Sequence, residues 1–291
     1  MAREDVVAIA ELKAGTLVEA LPYIRTYRGQ TVVVKIGGEA LDDPSMAAAV
    51  AQDLALMALV GIRLVVVHGG GPQVSDAMTT AGIDPVFVGG LRVTGADAIE
   101  IVRRVLVGSI NPDLVARLTR AGLAAVGLSG ADGALITATP ALGPEGQDLG
   151  HVGSVSAVEV GIVETLLDAG YTPVVASIAS SENGDPMNVN ADEVAGAVAA
   201  ALSAAKLVYL TNVAGLYADF GDAGSLISEL KKPELESMAP SLSDGMRPKV
   251  MSAVGALDAG VGKVHILDGR VPHALLLEVF TEEGIGTQVL P

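Results

Sequence analysis

At 291 residues, the chain is long enough to bury about three quarters of its unfolded surface. It carries 34 acidic against 18 basic residues, and the resulting net charge of −16 repels a phosphate backbone and disfavours nucleic-acid binding. The absence of cysteine excludes a disulfide framework, a thiol nucleophile and a thiolate metal site.

Half the residues are hydrophobic but only 3% are aromatic, so small branched side chains must fill the core between closely packed layers. Apolar runs stop short of the roughly 20 residues that cross a bilayer. The opening MAREDVVAIAELKAG carries both signs of charge and has no signal-peptide core. A cytoplasmic protein is expected, binding neither membrane nor nucleic acid.

In chain order, residues Asp5 to Ala20 have helical spacing, with Val6, Ile9, Ala10, Leu12, Leu17 and Ala20 forming an apolar stripe that Gly15 weakens. This stripe is expected to pack on its own domain. A strand follows at Thr31 to Ile36, then a helix from Pro44 to Val60 with Met46, Val50, Leu54, Leu56 and Met57 facing inward. Further strands are predicted at Arg63 to His68, Leu123 to Leu128, Thr172 to Ile178, Lys206 to Thr211 and Lys263 to Leu267. Helices are predicted at Gln73 to Ala81, Ala96 to Val107, Ala157 to Ala169, Ala191 to Ala204 and Met246 to Ala259.

Asn183 to Pro186 reads as a turn, and Asp219 to Ser225 as a second break. Repeated strand-then-helix order predicts an α/β fold: a mostly parallel, open central sheet with helices on both faces, preceded by an N-terminal helix. Two lobes would divide after Ala204, giving 1–204 and 205–291.

Three glycine-rich turns follow predicted strands: Lys35 to Gly38, His68 to Pro72, and Gly127 to Gly130 continuing to Gly133. At the carboxyl ends of parallel strands such turns let backbone N–H groups approach an anion. Each alone is ordinary loop geometry. No G-x-G-x-x-G stands at a strand-to-helix junction and no Walker-type loop is present, so dinucleotide and P-loop sites lose support.

Lys35 ends an apolar strand, where an ammonium either snorkels or faces a phosphate. Arg92, after a glycine pair, either clamps a carboxylate with its fork or makes a surface ion pair. Asn188, Asn190 and Asp192 alternate and then open an Ala-rich helix, which Asn190 most simply caps. Lys249 lies near a helix start, where a cation opposes the helix dipole unless it serves a ligand.

KIGG, VVVHGGGPQ, GGLRVT, GHVG, PVVASI, MNVNAD, LVYLTNVAGLY, DGMRPKV, HILDGRVPHALLLEVF and EGIGT occur in that order. From about Leu21 onward the chain therefore resembles the acetylglutamate kinases of the amino-acid kinase superfamily, in particular their arginine-sensitive type.

The resemblance implies an αβα sandwich with an N-terminal acyl-amino-acid lobe and a C-terminal nucleotide lobe. It implies transfer of phosphate from ATP, carried with Mg2+, to the side-chain carboxylate of N-acetyl-L-glutamate in arginine biosynthesis, with no metal held by the protein itself. A carboxylate is already ionised at pH 7, so no general base is needed.

By motif match Lys35, Lys249 and Asp192 are the catalytic residues. Gly37 and Gly38 would bind phosphate; Gly70, Gly71, Arg92 and Asn188 would bind substrate. The N-terminal helix and EGIGT resemble members that assemble as hexamers and bind L-arginine as feedback inhibitor. On that analogy Tyr23, Lys206, His265, Glu278 and Gly284 line the arginine site, although His265 in an apolar strand is equally read as a satisfied core histidine. Pro112, Ala131 and Asp244 depart from residues frequent in relatives. The alternatives are a related kinase of acetyl-aminoadipate, aspartate or glutamate, or a non-catalytic arginine or nucleotide sensor.

Overall fold

The computed structural model describes residues 3–37, 43–219, 221–242, 245–282 and 284–291. Gly38 and Asp244 lie outside the described residues, as do the side chains of Val6, Ile9 and Leu12. In chain order the strands are β1 (Thr31–Ile36), β2 (Arg63–His68), β3 (Phe87–Val88), β4 (Leu91–Arg92), β5 (Ala125–Ser129), β6 (Ile136–Leu142), β7 (Asp148–Val158), β8 (Thr172–Ala176), β9 (Ile178–Ser180), β10 (Pro186–Val189), β11 (Lys206–Thr211), β12 (Glu229–Lys231), β13 (Val264–Asp268) and β14 (Thr287–Leu290). The α-helices are α1 (Arg3–Tyr27), α2 (Pro44–Leu59), α3 (Gly71–Thr80), α4 (Ala96–Val105), α5 (Asn111–Arg120), α6 (Gly161–Asp168), α7 (Ala191–Ala201), α8 (Lys232–Met238), α9 (Arg247–Asp258) and α10 (Ala274–Phe280).

Eight strands form the central sheet in the order β12-β14-β13-β11-β1-β2-β8-β5. Neighbours run parallel except β13 and β14, which are antiparallel. Alternate residues of β1 enter different cores. Val33 points into the layer holding α6, α7, α8 and α9. Val32, Val34 and Ile36 point into the layer holding α2, α5 and α10. Three layers result, with both sheet faces covered, as near-continuous Val and Leu runs require.

The predicted α/β architecture therefore holds, but several predicted boundaries do not. Residues Ala157 and Val158, read as helical, pair with Thr137 and Ile136 in an antiparallel ladder, and α6 begins only at Gly161. The predicted strand Thr172 to Ile178 breaks at Ser177 into β8 and β9. β6, β7, β9 and β10 close into a small barrel that apolar runs did not predict. Leu56 is 41% exposed rather than inward; Ala47, Val50, Leu54 and Met57 form the buried face of α2.

Helix α1 extends to Tyr27, and its apolar stripe does not pack fully on its own domain as expected. Ala20, Tyr23, Ile24 and Tyr27 reach the core. Leu17 and Val18 remain 72% and 64% exposed.

After α4 the chain makes a π-helical turn, Leu106–Ile110, and runs directly into α5. A smaller third core joins α3, α4 and this turn to Ala176 and Ile178, forming a wall beside the carboxyl ends of the strands. Because Leu54 is fully buried and Leu56 is not, Leu54→Ala should cost about 2–5 kcal/mol and Leu56→Ala about 0.5 kcal/mol or less. Urea denaturation of the two variants measures the difference.

Candidate active site at the carboxyl ends of the strands

Three elements deliver charged groups to one point. Lys35 comes from the penultimate position of β1, Asp192 from the first turn of α7, and Lys249 from the first turn of α9. The Lys35 ammonium lies 2.8 Å from Asp192 Oδ1, and the Lys249 ammonium 2.8 Å from Asp192 Oδ2. Lys249 and Asp192 are buried, with 6% and 7% of their surfaces exposed. Burial pushes the Asp192 carboxyl up, but the two ammonium groups override it and hold the pKa at about 2. Burial also pulls Lys249 below the usual lysine range, and the Asp192 charge opposes that shift.

This charge cluster separates two cavities. The smaller, about 220 Å³, is lined by Gly69, Gly70, Gly71, Arg92, Asn188 and neighbouring residues. The larger, about 1080 Å³, is lined by Gly37, Thr211, Tyr217, Leu242, Met246, Lys249 and others. Lys35 and Asp192 line both.

The small cavity is shaped by the turn before α3. A Cβ on Gly70 would run into Ile110 Cδ1 and Leu106 Cδ2 of the π-helical turn, so any side chain there would have to displace both. The amides at the start of α3 have no partner within the helix. Arg92 is buried and donates to Gly71 O and Ser75 Oγ, both at 2.8 Å, while stacking over Phe87 at 4.6 Å. Asn188 Nδ2 donates to Thr94 Oγ1 at 3.1 Å, and Thr94 donates to Arg92 O at 2.7 Å. Asn190 is the cap of α7, accepting from the Asp192 amide at 2.7 Å. Gly37 lines the large cavity, but its own amide donates to Leu210 O at 3.3 Å.

His68 and Asn111 were not singled out as ligand-site residues by sequence reasoning, yet they support the glycine turn from below. The fully buried His68 is held neutral by desolvation, which lowers its pKa. Its Nδ1 lies 3.0 Å from Gly69 O and its Nε2 3.0 Å from Asn111 Nδ2. The same Asn111 amide reaches Val174 O at 2.9 Å. The signal was the polar His68 closing a strand of four buried apolar residues.

A second cluster lies at the opposite end of the sheet. His265 Nδ1 is 2.6 Å from Glu278 Oε1, and the Ile285 amide donates to Glu278 Oε2 at 2.8 Å. Lys206, at the start of β11, sits over the Tyr27 ring at 4.6 Å. Burial lowers its pKa to about 8, with Glu278 opposing and Lys263 assisting. Gly284 takes a left-handed φ of 58° against Glu278. His265 is not a fully satisfied core histidine, because its buried Nε2 has no hydrogen-bond partner among the described residues. Tyr23 lies one helical turn before Tyr27 on α1, so Tyr27 is the ring that meets Lys206.

The amino acid kinase family model matches residues 30–268. Over 96% of its length the chain is 50% identical to the acetylglutamate kinase of Symbiobacterium thermophilum, covering 97% of that protein. It is 47% identical to the acetylglutamate kinase of Acidothermus cellulolyticus, with 99% of each chain covered. The chain belongs to the acetylglutamate kinase branch of the amino acid kinase family.

Among solved structures, N-acetylglutamate synthase from Neisseria gonorrhoeae, complexed with coenzyme A and N-acetyl-glutamate, superposes with a TM-score of 0.86 at 31% identity; the match covers 96% of this chain and 63% of the synthase. The same synthase complexed with coenzyme A and L-arginine gives 0.81 at 30% identity, covering 95% of this chain and 65% of that one. Carbamate kinase from Giardia lamblia bound to AMP-PNP shares the fold, with a TM-score of 0.64 at 17% identity over 90% of this chain and 98% of that one.

In this kinase the Lys35 and Lys249 ammonium groups hold the Asp192 carboxyl at about 2, below the ordinary aspartate value of 3.8. Its contribution to stability is therefore present above pH 4 and lost as pH falls through 2. Asp192→Asn leaves the buried Lys249 and the part-buried Lys35 without their counter-ion and should destabilise the protein by about 3–5 kcal/mol at neutral pH. The gap between variant and wild type should narrow between pH 4 and pH 2, measured by denaturant unfolding across that range.

Proposed function

We propose that this chain transfers the terminal phosphoryl group of Mg-ATP to the side-chain carboxylate of N-acetyl-L-glutamate, giving N-acetyl-L-glutamyl 5-phosphate and ADP in arginine biosynthesis. The observation that carries this reading is the shared wall: Lys35 and Asp192 line both cavities at once. On this reading the small cavity receives the acyl-amino acid and the large one the nucleotide. A phosphoryl group passing between them would meet Lys35 and Lys249 on its equatorial oxygens, where positive charge is needed.

Arg92 and Asn188 would hold the amino-acid end, and the start of α3, with Gly70 and Gly71, would meet the attacking carboxylate. Gly37 would allow the nucleotide phosphates to approach the backbone closely. A division into lobes 1–204 and 205–291 is supported by the large cavity, whose lining comes mainly from residues 210–249. Mg2+ would enter with ATP, as part of the substrate. The cytoplasm supplies both substrates.

We further propose that the cluster at the other end of the sheet takes L-arginine. Glu278 supplies the carboxylate a guanidinium requires, and Lys206 the ammonium for an α-carboxylate. The exposed apolar residues of α1, Leu17 and Val18 among them, would join copies of the chain into a hexamer.

Lys35→Ala and Lys249→Ala should each lower kcat by about 100- to 1000-fold, by analogy with loss of one charge-stabilising group. Unchanged turnover in Lys249→Ala would remove that residue from the reaction. The acceptor is tested by coupled ADP release with N-acetyl-L-glutamate, acetyl-aminoadipate, aspartate and glutamate, the first giving the highest kcat/KM. Binding of ATP without turnover of any of the four would instead support a sensor. Deleting residues 1–20 should reduce the assembly to dimers and blunt arginine inhibition, read by elution volume and inhibition curves; unchanged curves reject the assignment.

A further inference from the structure

The chain has only 5 tyrosines and 3 phenylalanines. Among the described residues Tyr209 is the largest fully buried side chain, and it lies beside the Lys249–Asp192 pair. Tyr209 of β11 pairs in register with Lys35 of β1. Its ring lies 5.1 Å from the Lys249 ammonium, within cation–π range. Its hydroxyl donates to Ser252 Oγ at 2.8 Å and reaches the main-chain carbonyl of Asp192 at 3.4 Å, the same carbonyl to which Ser252 donates at 2.6 Å. Asp192 closes the circuit through its carboxylate, bonded to Lys249 at 2.8 Å.

A phenylalanine would fill the same volume. A buried hydroxyl costs about 1–3 kcal/mol unless it finds a partner, so the hydroxyl marks a need for the hydrogen-bonded chain itself. The helices are built to permit it. A Cβ on Gly196 of α7 would run into Ser252 Oγ and lie 3.1 Å from Ser252 O, so glycine there lets the two helices pack closely at Ser252. Lys249 and Ser252 are one turn apart on α9, and both contact Asp192, one through its side chain and one through its backbone.

We propose that Tyr209 and Ser252 are positioning residues for the phosphoryl transfer, fixing α9 against α7 so that the Lys249 ammonium stays between the Tyr209 ring and Asp192. This rests on the phosphoryl-transfer reading above.

Tyr209→Phe, Ser252→Ala and the double variant test the proposal in the full chain, with folding checked by circular dichroism. Each single variant should lower kcat about tenfold, the equivalent of one hydrogen bond, with KM for ATP and N-acetyl-L-glutamate within twofold. The double variant should lose less than the product of the two single losses, because both hydroxyls converge on the Asp192 carbonyl. A kcat within twofold of wild type in either single variant overturns the proposal. So does a loss that multiplies in the double variant, or one that falls on KM.

A wild-type protein inactive on all four acceptors defeats the phosphoryl-transfer reading instead. The 15N signal of the Lys249 ammonium then decides positioning alone: displacement in both single variants supports it, and an unmoved signal overturns it.

Discussion

Two lysine ammonium groups, each 2.8 Å from the same buried carboxylate, set the terms for everything else in this molecule. One negative charge does not neutralise two positive ones, and burial removes the water that would screen the difference. The cluster is therefore a local excess of positive charge in the wall between the two cavities. Its three members come from β1, α7 and α9, so the sheet and both helices must meet correctly before the excess exists. The cost of assembling it is carried by ordinary packing, through the fully buried Val33, Val194 and Val250 in one layer.

The small cavity rests on a different device, main-chain geometry held by polar groups. Gly70 is pressed against Ile110 and Leu106 of the π-helical turn, and a side chain there would collide with both. A π-helical turn widens the helix at one point, and such turns recur at functional sites. Here it lets α4 run into α5 while placing Asn111 where it reaches both His68 and Val174 O. The neutral His68 then holds Gly69 by its carbonyl. Arg92 is tied by Gly71 O and Ser75 Oγ, which fixes the orientation of its guanidinium in the wall of the small cavity.

The charged site was legible in the sequence because its members break local rules. Lys35 interrupts an apolar strand, Lys249 opposes a helix dipole, and Asp192 opens a helix behind a ready cap at Asn190. Tyr209 was not legible: in KLVYLT it reads as one more core residue, and only the fold sets it beside Lys35 and above Ser252. The small barrel escaped for a related reason. Pro140, Leu142 and Gly150 are exposed, and β7 bears Gly150 and Gly153, so apolar runs never formed. Ala157 and Val158 have good helical neighbours yet are claimed by β6, since tertiary pairing overrides local preference. Leu56 misled in the opposite sense, as an apolar residue that helical rotation carries outward past Leu54.

The chemistry of the small cavity also limits which acceptor it can serve. A hydroxyl acceptor needs a base to take its proton as the new bond to phosphorus forms. Among the described residues lining that cavity, Asp192 is the only carboxylate, and histidine is absent. Asp192 holds its proton only below a pH of about 2, and each of its oxygens already faces an ammonium group. It is far too weak a base at neutral pH, so its part is electrostatic. His68 is nearby but turned away, its two nitrogens bonded to Gly69 O and Asn111. A cavity arranged in this way suits an oxygen nucleophile that arrives without a proton to lose, which at neutral pH is a carboxylate. The net charge of −16 makes the same demand in another form. In so acidic a protein, an anion can be held only where cations are locally in excess, and Lys35 and Lys249 provide that excess beside the two cavities.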